Sequence, residues 1–159
     1  MQIPKYLTVI YITILGTTLG AGLYARVVVA PVTFHSEIYL GSEILSCFQE
    51  GFIMTENFVR LSYLVTFTVL TVVFYEGYKY KMFDREVITT IPAFLVITSG
   101  LLYVYYYIPQ ILEFQKEGES VTKSKLFENT HFASELDFKL FTIALFALLV
   151  RTLYRNLRA

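Results

Sequence analysis

The stretch Leu7–Phe34 reads LTVIYITILGTTLGAGLYARVVVAPVTF. It holds no charge from Leu7 to Ala25, a lone Arg26 near its far end, and Pro31 closing the run. About 20 apolar residues rising 1.5 Å each cross the hydrocarbon of a bilayer, so the stretch predicts a membrane-spanning helix over about 6–29. A secretory signal is the competing reading. Only Lys5 precedes the run, however, the run outlasts a signal core of roughly 7–15 residues, and no clear small-x-small site follows it. A retained helix is expected.

The remaining chain repeats this theme. Of its 159 residues 55% are hydrophobic and 16% charged, with a mean hydropathy of +0.56; soluble domains carry about 25% charged residues. Uncharged runs at Leu61–Tyr75, Val87–Leu112 and Leu140–Val150 predict further spans over about 57–76, 87–112 and 133–153. The last is the weakest, because Asp137, Lys139 and Arg151 must reach the interfaces or find partners; a helix lying on the membrane surface is its alternative. Tyr103, Tyr105, Tyr106 and Tyr107 predict an aromatic belt at the outer interface of the third span. The expected fold is all-α: one membrane domain over 1–159, an integral membrane four-helix bundle in contact with the lipid bilayer.

Residues 32–57 form the first loop between spans. Ile44, Leu45, Phe48 and Phe52 recur there at helical spacing, which predicts a short amphipathic helix on the membrane surface or capping the bundle. Its acids, Glu37, Glu43, Glu50 and Glu56, have no Lys or Arg among them. Basic residues set the orientation. Lys5, Lys79, Lys81, Arg85, Arg151, Arg155 and Arg158 fall in short segments on one side, against Lys116, Lys123, Lys125 and Lys139 in longer loops on the other. Both termini are therefore expected on the cytoplasmic side of an inner or plasma membrane. Thirteen basic residues offset thirteen acidic ones, so no global field attracts nucleic acid. The sole cysteine, Cys47, excludes an intramolecular disulfide and a multi-cysteine metal site.

Gly16 and Gly20 make a G-x-x-x-G pair, extended by Thr13 and Thr17, of the kind that lets helices approach closely in lipid. The same face can join copies of the chain in a homo-oligomer or a membrane complex. Arg26 either snorkels to the headgroups or pairs with Glu50, Glu56 or Asp137 inside the bundle. In the fourth span, Phe127, His131, Ser134, Phe138 and Phe141 share a face that points His131 and Ser134 inward. Arg26, His35, His131, Ser134 and Asp137 are accordingly the candidate polar site. Glu128, His131 and Glu135 occupy neighbouring positions on one helix, a set able to hold a divalent metal or simply to solvate and cap. His35 with His131 offers bis-imidazole ligation of haem. His131, Ser134 and Asp137 do not make a hydrolytic triad, since successive i+3 steps on one helix lack its geometry. No phosphate-binding glycine loop occurs.

Two patches carry a family resemblance. G-x-x-x-G-x-x-x-Y-x-x-x-x-x-A-P-V-x-F, here Gly16 to Phe34, resembles the first helix of the transmembrane-protein-205-like family of small four-helix membrane proteins, long filed as a domain of unknown function. Pro109 at the end of span three and F-x-x-x-H-x-x-S at Phe127, His131 and Ser134 resemble its second patch. The resemblance implies four spans and a meeting of the first helix's exit with the His131 helix. An association of a eukaryotic relative with resistance to a platinum drug implies export of metal complexes. Asp137 departs from the family, which usually keeps a neutral residue after the serine. The function expected is non-enzymatic, without a cofactor: an outer-facing polar site serving transport or an accessory subunit. A redox protein holding haem or a metal through His35 and His131 is the alternative.

Overall fold

The computed structural model describes residues 4–42, 44–84 and 86–158. Glu43 and Arg85, counted above among the loop acids and the basic residues, lie outside the described residues. Helices α1 (Lys5–Phe34), α3 (Cys47–Lys81), α4 (Val87–Glu117) and α6 (Lys125–Arg158) are long; α2 (Ser36–Leu40) and α5 (Glu119–Thr122) are single turns between them. Among the described residues no strand occurs. Helices α1, α3 and α4 are long and apolar enough to cross a membrane, whereas α6 carries more charge. Each expected span falls inside one of the long helices, which overrun it by several residues.

Two expectations about helix ends are corrected. Pro31 and Pro109 do not end their helices. Residues Ala25–Val29 of α1 and Tyr103–Tyr107 of α4 widen into a π turn just before each proline. A proline inside a regular α-helix lacks a donor and collides with the carbonyl four residues back. Here the preceding residue bonds one position further: Ala30 N–H donates to Ala25 O, and Ile108 N–H to Tyr103 O. The wider turn accommodates the ring, and the helix continues. The short amphipathic helix expected in the first loop is likewise not a separate element. Ser46 caps Cys47 onward through a reciprocal pair, Gln49 N–H to Ser46 Oγ and Ser46 N–H to Gln49 Oε1; this box starts a helix that runs unbroken to Lys81.

The core is apolar with hydroxyl side chains among it, and the exterior is apolar as well. Tyr11, Leu15, Val65, Val72, Val96, Leu145 and Leu148 form the core, but Thr8, Thr18, Thr68, Thr89 and Ser99 are buried with them. Val9, Phe67, Phe74, Ile88, Phe94 and Ile143 face outward. Thr18 and Thr68 share a 2.6 Å hydroxyl contact between α1 and α3. Closest approach occurs at other glycines than expected. Nothing lies within 4 Å of where a Cβ would stand on Gly16 or Gly20, while Gly22 meets Phe138 at 3.2 Å and Gly100 meets Val69 at 2.5 Å. The Gly16/Gly20 face points away from the bundle, because the α1 face turned inward runs through Thr8, Tyr11, Leu15, Thr18 and Gly22.

At the end bearing the termini, polar contacts lock the helices. Tyr11 stacks on Tyr75 at 3.9 Å and donates to Glu76, which also holds Lys79 at 2.8 Å. Arg155 bonds Asp84 at 2.9 Å, and Arg151 bonds Glu86. The Arg151 hydrogen bond, outweighing partial burial, holds the Glu86 carboxyl below its ordinary range.

A methyl group at Gly100 must displace Val69, so Gly100→Ala is expected to destabilise the protein by about 1–3 kcal/mol. Gly20→Ala is expected to be neutral or stabilising by about 0.4–1 kcal/mol. Reversible unfolding in mixed micelles measures both.

Candidate functional site

At the end of the bundle away from the termini, the helices part around a cavity of about 560 Å³. Its position follows from the local chemistry of the helices. The α1 wall is Arg26, Ala30, Pro31 and Phe34, and the α4 wall is Tyr103, Ile108, Ile111 and Gln115, so both walls span a π turn and its proline. The α3 wall comes from the first turns after the Ser46 cap, Phe48 to Phe58, and the α6 wall from Phe127 to Phe138. Phe58, Tyr103 and Phe138 close the deep end, with ring centroids 5.0–6.4 Å apart. Cys47, exposed and unpaired, stands on the rim.

Polar groups are few and mostly satisfied. Arg26 bonds Glu135 at 3.0 Å, joining α1 to α6, and each side chain is about one-third exposed. Glu135 also faces His131 Nε2 at 3.6 Å and Lys139 at 3.5 Å. Lys123 pairs with Glu119 at 2.8 Å. Ser134 is buried and donates to the His131 carbonyl at 2.7 Å, a bond within its own helix. His131 stacks on Phe127 with ring centroids 5.7 Å apart. His35 lies at the rim, exposed, with Nδ1 3.7 Å from Glu37. Ser36 Oγ reaches buried Glu50 at 2.5 Å and fastens α2 to α3.

Four of the expected site residues, Arg26, His35, His131 and Ser134, line this one cavity. Asp137 does not. It lies on the α4 side of its helix and accepts from Ser99 Oγ at 2.7 Å. The partner of Arg26 is Glu135 rather than Glu50, Glu56 or Asp137. Residues of α6 recur every three to four positions, so Glu135 rather than Asp137 shares the side of His131 and Ser134 that faces α1. Glu128, His131 and Glu135 do not gather into a set able to hold a metal ion; among the described residues no cluster of three His, Cys, Asp or Glu side chains does.

Sequence reasoning missed Gln115. It is 5% exposed, donates from Nε2 to Thr55 Oγ1 at 2.8 Å, and its Oε1 is buried without a partner. The only signal was one uncharged amide inside the charged segment Glu113–Glu117, which reads as loop. Tyr103 was missed too. Its place among the tyrosines of the expected belt conceals it, yet it is buried while Tyr105 and Tyr106 face outward.

A family model described as a domain of unknown function (DUF4149) matches residues 13–120, and the chain belongs to that family. The matched residues run from α1 to α5 and include Arg26, His35 and Gln115. No curated protein and no solved structure matches the chain.

Among the described residues, Glu135 is the one carboxylate within ion-pair distance of Arg26, whereas Glu135 has His131 and Lys139 besides. Glu135→Gln is therefore expected to destabilise more than Arg26→Gln. A double-mutant cycle on unfolding is expected to give a coupling of about 1 kcal/mol, since partial exposure screens the pair.

Proposed function

We propose that this DUF4149 chain is an integral membrane protein in which α1, α3, α4 and α6 all cross the bilayer. Both termini lie in the cytoplasm, in an inner or plasma membrane, and the cavity opens to the outer side. There it receives a small molecule, as part of a transport system or as an accessory subunit. One observation carries this reading: a cavity of about 560 Å³, within the roughly 300–1,000 Å³ of small-molecule sites, at the end opposite Lys5, Lys79, Lys81, Arg151 and Arg155. The apolar exterior supports four spans. Helix α6 buries Phe138, Phe141, Leu145 and Leu148 while Leu140, Ile143 and Phe146 face outward, as lipid contact requires.

The likeness to the transmembrane-protein-205-like family points toward export, and the Arg26–Glu135 contact between the first helix's exit and the His131 helix supports it. Four spans are few for a pathway of their own. A homo-oligomer or membrane complex supplies the rest, and the outward Gly16 and Gly20 are the contact we assign to it. The second reading is a haem protein, favoured by His35 and His131 lining the same cavity.

Cys47 reports on the orientation without any engineering. A membrane-impermeant maleimide is expected to label it in intact cells or spheroplasts, and labelling only after permeabilisation overturns the topology. A Soret band in the purified protein, lost in both His35→Ala and His131→Ala, is the result that would favour haem; a colourless protein removes that reading.

A further inference from the structure

Asp137 is the acid of α6 that the cavity does not use. Ser99 of α4, 1% exposed, stands within hydrogen-bond distance of two of its oxygens, the backbone carbonyl at 3.0 Å and Oδ1 at 2.7 Å. A hydroxyl carries one proton and a carbonyl carries none. With an ionised carboxylate, that single proton would have to serve both oxygens. Oδ2, buried without a partner, would then be a bare anionic oxygen, and burying charge that way costs more than leaving a neutral polar group unmet. With a neutral acid, every contact has its own proton. Oδ1–H donates to Ser99 Oγ, Ser99 O–H donates to the Asp137 carbonyl, and Oδ2 is the carbonyl oxygen of an uncharged group.

The surrounding charges do not favour the anion. Arg26 of α1, and His131 and Lys139 of α6 itself, all turn to Glu135, and among the described residues Asp137 is in no ion pair. From α4 the ionisable side chain within its electrostatic reach is Tyr107, an uncharged phenol at neutral pH. We propose that Asp137 is a proton-binding site, holding at neutral pH a proton that ties α6 to α4 through Ser99. Its release to water leaves a carboxylate and one hydroxyl proton for two acceptors, so occupancy by the proton is linked to how these two helices meet. Phe138, the next residue, faces Tyr103 of α4 with ring centroids 5.0 Å apart, which puts the site beside the floor of the cavity.

The chain has two aspartates, Asp84 and Asp137, and Asp84 is paired with Arg155 at 2.9 Å. Full-length protein made by cell-free synthesis, with aspartate isotopically labelled at its side-chain carboxyl carbon, therefore gives two carboxyl resonances in nanodiscs, Asp84 being the ionised reference. At neutral pH one is expected at the carboxylate position and the other at the carboxylic-acid position, the second lost in Asp137→Asn. Two carboxylate resonances from the unaltered protein overturn the proposal and need no variant. An acid resonance that persists in Asp137→Asn belongs to Asp84 and overturns it as well. Ser99→Ala reads the direction of the hydrogen bond. A serine that accepts from the acid favours its neutral form, so removing the hydroxyl is expected to move loss of the acid resonance to lower pH. Movement to higher pH, or none, means that Ser99 does not receive the proton, and it overturns the proposed tie.

Discussion

A proline inside a helix leaves a carbonyl without its donor and forces a ring against it. Pro31 and Pro109 present that problem in α1 and α4, and the carbonyls at risk belong to Val27 and Tyr105. Both lie inside the π turns that precede the prolines. The extra residue in each turn rotates the rest of its helix by roughly 100° relative to a regular one. Everything at the open end of the bundle depends on that rotation. Arg26 and Pro31 on one wall, and Tyr103 and Gln115 on the other, line the cavity across these turns.

The rest of the bundle fixes where those two helices sit. Thr18 against Thr68, Ser99 on Asp137 and Gln115 on Thr55 tie neighbours by hydroxyl and amide contacts. Gly100 lets α4 settle against Val69 of α3 and Phe141 of α6. At the far end, charge does the fastening: Arg151 and Arg155 of α6 grip Asp84 and Glu86 in the turn between α3 and α4. Tyr11, Glu76 and Lys79 form a second fastening between α1 and α3. Rigid at that end and widened at the other, the molecule is a clamped base with a mouth.

Much of this was legible in residue order. Uncharged runs locate the long helices, since hydrocarbon length and helix pitch fix how many residues are needed. The spacing of Phe127, Ser134 and Phe138 puts these residues on the cavity side of α6, because the helix keeps regular phase, while His131 lines the same cavity yet stays exposed. What hid from the sequence has a common cause. Hydropathy marks where a segment is greasy, not where its helix starts, so the turns from Cys47 to Glu56 read as a short separate helix rather than as the beginning of α3, which Ser46 and Gln49 cap. Periodicity assumes a constant turn, so it fails after Ala25 and Tyr103. Small residues announce that close packing is allowed, not where it occurs: Gly22 and Gly100 are used within the chain, while Gly16 and Gly20 look outward. Gln115 hid because an amide among charges gives no hydropathy signal of burial.

The aromatic trio of Phe58, Tyr103 and Phe138 has a consequence of its own. Beneath it the packing is tight, with Val65, Val96 and Phe141 nearly inaccessible, so the hollow does not continue into the core. The three rings are therefore the surface on which the hollow ends.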